Sequence, residues 1–248
     1  MSAVDRVVVV VPARNEERRI GEALRAIATA RLDLAAFDAA VTVRTVVALD
    51  RCTDGTAAVV AGFPDVLAVT SAAGMVGAAR RTGVRAALAE PDVRPSRTWI
   101  ATTDADSRVP PEWLRHHLQI ARGGADLLLG TVLPDPAELD DDAFEAWLLQ
   151  HPQVDGHPYI HGANLGIRAD RYLQVGGFRR VREHEDVLLA AAVRSSGGMV
   201  VSPGARPVLT SARMAGRTPG GFAGYLAGLQ KRPAAGSLGG LLPALGQQ

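Results

Sequence analysis

The sequence predicts an α/β fold, doubly wound, with a mostly parallel central sheet flanked by helices in a single domain. Three observations carry the prediction. Val7 to Val11 is an unbroken β-branched run, as expected of a strand buried on both faces. Strand-like and helix-like segments then alternate as far as residue 130. One of those strands ends abruptly in Trp99-Ile-Ala-Thr-Thr-Asp104-Ala-Asp106-Ser107, with two carboxylates one residue apart. Open α/β sheets bind ligands just beyond such strand ends.

Pro12 stops the first strand, and Asn15 is expected to cap a helix with Glu16 and Glu17 in its first turn and Ile20, Leu24 and Ile27 as its apolar stripe. Val41 to Leu49 reads as the second strand. The turn-rich Asp50-Arg-Cys-Thr-Asp54-Gly-Thr follows, with Thr53 or Asp54 as the cap of a short helix through Val60. Val66 to Val69 is a third strand, Val76 to Ala89 a helix and Thr98 to Thr103 a fourth strand. Pro110-Pro111 opens a further helix, since proline is tolerated in a first turn, and Leu127 to Leu129 is a fifth strand. After Gly130 the alternation fades. An acidic, proline-containing stretch from Pro134 to Asp142 leads to a helix over Phe144 to Leu149, and His151 to Tyr159 reads as an irregular loop. Helices are expected from Arg168 and over about Glu183 to Ser195. The apolar stretch from Ala234 to Gly246 is broken by Gly and Pro and reads as a tail.

At 248 residues the chain can bury a substantial core, and its formal net charge of +1 gives no bulk signal for nucleic-acid binding. Lys231 is the one lysine among 27 basic residues, so side-chain contacts to phosphate must come from arginine, whose fork holds oxyanions in a bidentate manner. Cys52 is the single cysteine, which rules out an intrachain disulfide and fits a reducing compartment. No long apolar stretch follows a basic start, and no run approaches the roughly 18 apolar residues of a membrane span, so a cytoplasmic location without a transmembrane segment is expected. The C-terminal tail leaves room for a peripheral membrane contact.

Residues i and i+2 of an extended segment point the same way, so Asp104 and Asp106 can share one hard divalent cation. Asp50, at a strand end, can accept hydrogen bonds from a nucleotide base. Arg80 and Arg81 lie on the Val76 helix, where Gly77 and Gly83 permit close approach; they form either a solvated arginine face or a site where one guanidinium meets a diphosphate. In Glu183-His184-Glu185-Asp186 a carboxylate is either helix N-terminal charge or a general base. Arg213 and Arg217, four apart, either face one another on a turn of helix or sit on a flap over phosphate oxygens, and the Gly-rich segment favours the flap. His116, His117, His151 and His157 lack zinc spacing and are expected at the surface.

These segments, in this order, resemble glycosyltransferase family 2 of the GT-A fold, from Val7 to about Phe222. Val-Val-Pro12-Ala13-Arg-Asn15-Glu16-Glu17 is similar to the family's opening strand and Asn-Glu turn. Val-Ala-Leu-Asp50-Arg-Cys-Thr-Asp54-Gly-Thr resembles its second-strand motif, with Leu49 where a second Asp often stands. Gly77-Ala-Ala-Arg80-Arg81-Thr-Gly83 resembles its Ala-Arg-Asn-x-Gly helix, with Arg81 at the Asn position. Thr-Asp104-Ala105-Asp106 resembles its metal motif. Gly162-Ala-Asn164 through Val175-Gly-Gly-Phe178 resembles the segment beside the donor sugar and acceptor, and Glu185-Asp186 the pair whose Asp is the base of inverting members. The processive synthases' Gln-x-x-Arg-Trp motif is absent.

The resemblance implies a non-processive, inverting, metal-dependent transfer of a sugar from a nucleotide-diphosphate sugar to an acceptor hydroxyl. Asp186 would be the base, and Asp104 and Asp106 would hold Mg²⁺ or Mn²⁺. Pro12, Ala13, Asn15, Glu16, Asp50, Arg80, Asp104, Ala105, Arg213 and Arg217 would bind the donor; Gly162, Asn164 and Glu185 would meet the acceptor. Residues 1–130 would be the nucleotide-sugar half, 131–230 the acceptor and base half of the same domain, and 231–248 a mobile tail. The acceptor, a small molecule, lipid carrier or glycan, should meet the 131–160 region, where His151, Asp155, His157 and Tyr159 offer polar groups. Two rivals stay open. A sugar nucleotidyltransferase would need a Gly-rich phosphate loop that Pro12-Ala-Arg-Asn15 does not supply, and a non-catalytic nucleotide-sugar-binding protein would not need both Asp106 and Asp186. A dinucleotide dehydrogenase fails, because no Gly-x-Gly-x-x-Gly follows Val11.

Overall fold

The computed structural model describes residues 4–213. Arg217 and the tail expected over 231–248 lie outside the described residues. The alternation read from the sequence is present: β1 (Arg6–Ala13), α1 (Ile20–Phe37), β2 (Thr42–Asp50), α2 (Thr56–Ala61), β3 (Val66–Ser71), α3 (Val76–Leu88) and β4 (Thr98–Thr102) follow one another. Beyond them come β5 (Ser107–Arg108), α4 (Trp113–Arg122), β6 (Leu127–Leu129), β7 (Val132–Pro134) and α5 (Asp141–Gln150). The chain continues through β8 (Leu165–Arg168), α6 (Ala169–Gln174), α7 (Glu185–Ser195), β9 (Val200–Val201) and β10 (Val208–Thr210).

Seven strands form one sheet in the order β3-β2-β1-β4-β8-β6-β9, and β5, β10 and β7 form a small second sheet. In the large sheet only β8 runs against its neighbours. The run of valines in β1 is explained by its place inside this sheet. Val7, Val9 and Val11 pack into a core shared with Ile20, Leu24, Ile27 and Leu34 of α1 and Trp113, Leu114 and Leu118 of α4. Val8 and Val10 point to the other face, into a core with Val84, Ile100, Phe178, Leu189 and Val193. With apolar layers on both faces, no position along β1 can be polar.

The sequence did not foretell β8. It is four residues long, contains Gly166 and inserts between β4 and β6, with Ile100 opposite Ile167 and Ala101 opposite Gly166. Arg168, expected to open a helix, ends this strand, and its buried guanidinium donates to Ser96 O at 2.6 Å. The helix begins one residue later.

Asn15 does not cap α1, which starts only at Ile20 without a side-chain cap. Asn15 stands at φ 52°, and its Oδ1 accepts from Thr53 N at 2.8 Å, tying the loop after β1 to the loop after β2. Neither Thr53 nor Asp54 caps α2. Asp54 accepts from both the N–H and the hydroxyl of Thr56 in a local turn, and from Glu17 N across the loops. Nor do Pro110 and Pro111 enter the α4 helix; they precede it. Among the described residues no helix is long and apolar enough to cross a membrane.

Gly83 lets α3 lie against the sheet: a Cβ there would stand 2.7 Å from Val10 Cγ1, which is fully buried and cannot yield. Gly83→Ala should therefore cost about 1–3 kcal/mol by overpacking. Urea denaturation checks this, and an unchanged midpoint would mean that α3 is free to shift outward.

Candidate active site

A cleft of about 520 Å³ opens beyond the ends of β1, β2 and β4, bounded on its far side by the entrance to α7. Three non-glycine residues with positive φ stand around it: Asn15 (52°) after β1, Arg51 (53°) after β2 and His184 (64°) just before α7. Such conformations cost of order 1–3 kcal/mol and persist where the surrounding structure dictates them.

Asp104 and Asp106 follow β4, but in a turn rather than an extended run: Ser107 N donates to Asp104 O at 3.2 Å and the chain enters β5. The expectation that both carboxylates share one direction by strand periodicity is thereby replaced. Each meets its own arginine, Asp104 Oδ1 accepting from Arg80 Nη2 at 2.6 Å and Asp106 Oδ2 meeting Arg213 Nη2 at 2.9 Å. The two acids still feel each other. Burial first, then the charge of Asp104, push the Asp106 carboxyl up to about 6, against the opposing pull of Arg213.

Arg80 is not aimed at open space for a diphosphate. Its guanidinium is 3% exposed and spans Asp104 on the β4 side and Glu185 at the start of α7. Burial works against its charge, but Asp104, Glu185 and Asp186 outweigh it and raise its pKa. For Glu185, burial raises the carboxyl and Arg80 opposes the rise. Gly162 makes room for this bridge, since a Cβ there would collide with the Arg80 guanidinium at 2.5 Å. Arg81 points elsewhere, donating to Gly176 O at 2.8 Å and Phe178 O at 3.3 Å.

Asp186 lies in the first turn of α7. Its Oδ2 accepts from Gly162 N and its Oδ1 from Val187 N, both at 2.8 Å, so the carboxylate is fixed by backbone donors on either side. Asp50 is buried at the end of β2, and its Oδ1 accepts from Ser71 Oγ at 2.9 Å and Gly74 N at 3.0 Å.

Pro12, Ala13, Glu16, Asp50, Arg80, Asp104, Ala105, Asp106, Gly162, Glu185, Asp186 and Arg213 all line the cleft; Asn15 and Asn164 do not. Asn164, expected to meet an acceptor, is 2% exposed, and its amide is used inside the protein. Trp113 Nε1 donates to its Oδ1 at 2.9 Å, and its Nδ2 donates to Thr131 O at 2.8 Å. The Val175–Phe178 segment lies behind Arg80, whose guanidinium sits 5.8 Å from the Phe178 ring centroid.

The histidines divide. His117, expected at the surface, is fully buried, accepts from Trp99 Nε1 at 3.0 Å, and is pushed down to about 3 mainly by burial. His157 is also buried. Of the four polar residues expected at the acceptor, only His151 lines the cleft, stacked on Trp147 with ring centroids 3.7 Å apart. Asp155 instead accepts from Gly204 N, and Tyr159 donates to Gln150 O. His161 lines the cleft as well and is pushed down to about 4 by burial, so it is neutral at pH 7. Sequence reasoning missed Arg14, Arg182 and Trp147 as lining residues; Arg14 lies inside the Pro12-to-Glu17 motif without a role of its own there, and no motif marks Arg182 or Trp147.

Seven carboxylates and four guanidiniums are among the described residues lining the cleft. That excess of negative charge, with two hard oxygen donors at the end of β4, fits a divalent cation whose other ligands come from a phosphate-bearing substrate and water. Among the described residues no cluster of three or more acidic, His or Cys side chains is placed to hold a metal by itself.

The family model of glycosyl transferase family 2 matches residues 8–154. No curated protein matches the chain. Among solved structures, the fragment 1–349 of TarS from S. aureus has a TM-score of 0.60 at 15% identity, covering 84% of this chain and 61% of that one. The mannosyltransferase PcManGT from Pyrobaculum calidifontis, in complex with GDP-Man and Mn2+, has a TM-score of 0.60 at 20% identity, covering 87% and 59%. Glucosyl-3-phosphoglycerate synthase from Mycobacterium tuberculosis, with Mn2+, UDP-Glc and phosphoglyceric acid, has a TM-score of 0.55 at 14% identity, covering 94% and 82%. At these identities the likeness shows the fold, a GT-A-type α/β domain. The chain spans about three fifths of the first two structures.

The raised Asp106 carboxyl has a measurable consequence. The folded protein holds this proton to higher pH than the unfolded chain does, so stability is lost as pH rises from about 3.8 through about 6. In metal-free buffer, Asp106→Asn should be more stable than wild type at pH 7, by of order 1 kcal/mol, and the gain should vanish by about pH 4. Urea titrations at the two pH values check this; a variant less stable at pH 7 would contradict the assigned burial.

Proposed function

The chain belongs to glycosyl transferase family 2, and from that premise we propose that it transfers a sugar from a nucleotide-diphosphate sugar to an acceptor hydroxyl with inversion, in a cation-dependent reaction. One observation carries the reading. The carboxylate pair after β4 and the backbone-held Asp186 face a single cleft and are joined through Arg80 and Glu185.

The first half of the domain supplies the donor site. Pro12, Ala13, Glu16 and Asp50 line the nucleotide end, Asp50 accepting from the base. Asp104 and Asp106 would hold Mg²⁺ or Mn²⁺, which when bound neutralises diphosphate charge and favours its departure. Mn2+ accompanies the nucleotide sugars in the neighbouring structures. Arg213 adds a bidentate cation for the diphosphate, the role that the sequence also gave to Arg80. Arg80, held by two carboxylates, acts instead as a positioning residue between the donor and base sides.

The second half supplies the base and the acceptor wall. The acceptor oxygen attacks C1 of the sugar, its proton passes to Asp186, the C1–O bond breaks and the electron pair leaves with the nucleoside diphosphate. Gly162 N–H and Val187 N–H keep the Asp186 carboxylate in one orientation for this transfer. Trp147, His151 and His161 form the wall that an acceptor meets. A single cysteine requires no oxidising compartment, which supports a cytoplasmic enzyme.

Asp186→Asn should lower kcat by about 10²–10⁴ and leave nucleoside diphosphate affinity within about twofold, as loss of a general base predicts. Steady-state kinetics beside calorimetry separate the two effects, and an active variant would remove Asp186 from the role. Asp106→Ala should abolish the metal-dependent part of donor binding, read by calorimetry with and without Mn²⁺. Unchanged donor affinity in the presence of Mn²⁺ would remove the carboxylate pair from the donor site.

A further inference from the structure

The two arginines on the carboxylate pair are held in different ways. Arg80 is 3% exposed, and both of its terminal nitrogens are engaged, one by Asp104 and the other by Glu185. Arg213 is 27% exposed and stands at the rim. Its Nη1 lies 2.8 Å from Glu16 Oε1 and 2.9 Å from Glu16 Oε2, and its Nη2 lies 2.9 Å from Asp106 Oδ2. The fork therefore joins the loop after β1 to the turn after β4, and it occupies a carboxylate oxygen that the reading above gives to a cation.

We propose that Arg213 is an exchangeable counter-cation: it neutralises Asp106 and Glu16 while the site lacks a divalent ion, and passes to the donor's diphosphate when that ion takes Asp106. The proposal rests on the assignment of Asp104 and Asp106 as cation ligands and adds an order of events to it.

Three physical points support it. A divalent ion bound to Asp106 would lie about 2.0–2.6 Å from the carboxylate oxygen, and a guanidinium on the same oxygen repels it, so the two compete. The backbone that carries Arg213 is anchored. Glu138 Oε2 accepts from Ser211 Oγ at 2.7 Å and Ala212 N at 3.0 Å, and Ser211 N donates to Asp106 O at 3.2 Å. A side chain leaving Asp106 from this fixed point stays within the cleft. Finally, the planar fork that spans two carboxylates matches two phosphate oxygens equally well. The site then carries a cation on Asp106 at every stage, and the displaced arginine has a new partner only when the diphosphate is present. The divalent ion and donor thus favour each other's binding.

The test counts free Mn²⁺ by electron paramagnetic resonance during titration of the full chain. Wild type, Arg213→Ala and Arg213→Lys are each titrated alone and then with UDP or GDP. Without nucleotide, Arg213→Ala should bind Mn²⁺ about tenfold more tightly than wild type, the weight of one charge-assisted contact removed. With the nucleotide that binds, the order should reverse, the variant holding Mn²⁺ about tenfold more weakly. Arg213→Lys, which keeps the charge but not the fork, should fall between the two in both conditions. A purely structural lesion would weaken both conditions alike. That result, or equal Mn²⁺ affinity of wild type and Arg213→Ala without nucleotide, overturns the exchange while leaving the cation site standing. If Mn²⁺ binds neither protein even with nucleotide, the cation reading fails and the exchange falls with it.

Discussion

The buried double ion pair of Arg80 is the constraint on which the site's geometry depends. It reaches from α3 to the turn after β4 and to the first residue of α7. These elements are far apart in sequence, and their relative position sets the distance between the Asp104–Asp106 pair and Asp186. Replacing a buried ion pair by apolar groups is often neutral for stability, whereas removing one partner leaves an uncompensated charge and costs about 3–5 kcal/mol. The function of such a bridge is therefore better sought in registration than in net stability. A guanidinium suits it because two terminal nitrogens at a fixed angle fix two carboxylates at once, and an ammonium on a flexible stem would not. A chain with 27 basic residues of which Lys231 is the one lysine is committed to this chemistry throughout.

Neighbouring contacts show how the bridge is packed. Gly77 brings the start of α3 against Glu185, where a Cβ would stand 2.7 Å from the Glu185 Cβ, and Gly162 clears space over the guanidinium. Gly162 also donates its N–H to Asp186 and its carbonyl accepts from Thr102 Oγ1 at 2.7 Å, which ties Asp186 to β4 itself. The short 3₁₀ turn at Gly162–Asn164 is thus a joint between Arg80, Asp186 and the central sheet. Asn164 serves this joint from behind, through Trp113 and Thr131, and takes no place in the cleft.

What was legible in the sequence had a local cause. Five successive valines could only be a strand between two apolar layers, and a strand that ends in carboxylates reads as a ligand-facing end. The parts that stayed hidden depend on partners distant in sequence. Four residues of β8 carry too little periodicity, and the strand exists because β4 and β6 leave a gap between them. Asn15 has the chemistry of a helix cap, but Thr53, 38 residues away, takes its side chain first. Asn164 offers the same amide to an acceptor or to Trp113, and only tertiary placement decides between them. His117 looked exposed beside His116 because helical phase distinguishes adjacent residues only when the apolar stripe is known; Trp113, Leu114 and Leu118 put it inside.

Electrostatics then separates the cleft into two environments. Over the described lining of the cleft, the surplus of carboxylates over arginines repels a further anion unless positive charge arrives with it, because bringing like charges together is costly. Pairing each of Asp104 and Asp106 with an arginine keeps the unliganded site from carrying that surplus bare. Around Trp147 the lining is different in kind: Trp147 stacked on His151, with His161 held neutral by burial, offers aromatic surface and uncharged hydrogen-bonding groups. Burial therefore keeps the His161 ring uncharged, while the two carboxylate partners of Arg80 keep its guanidinium charged and in a single geometry.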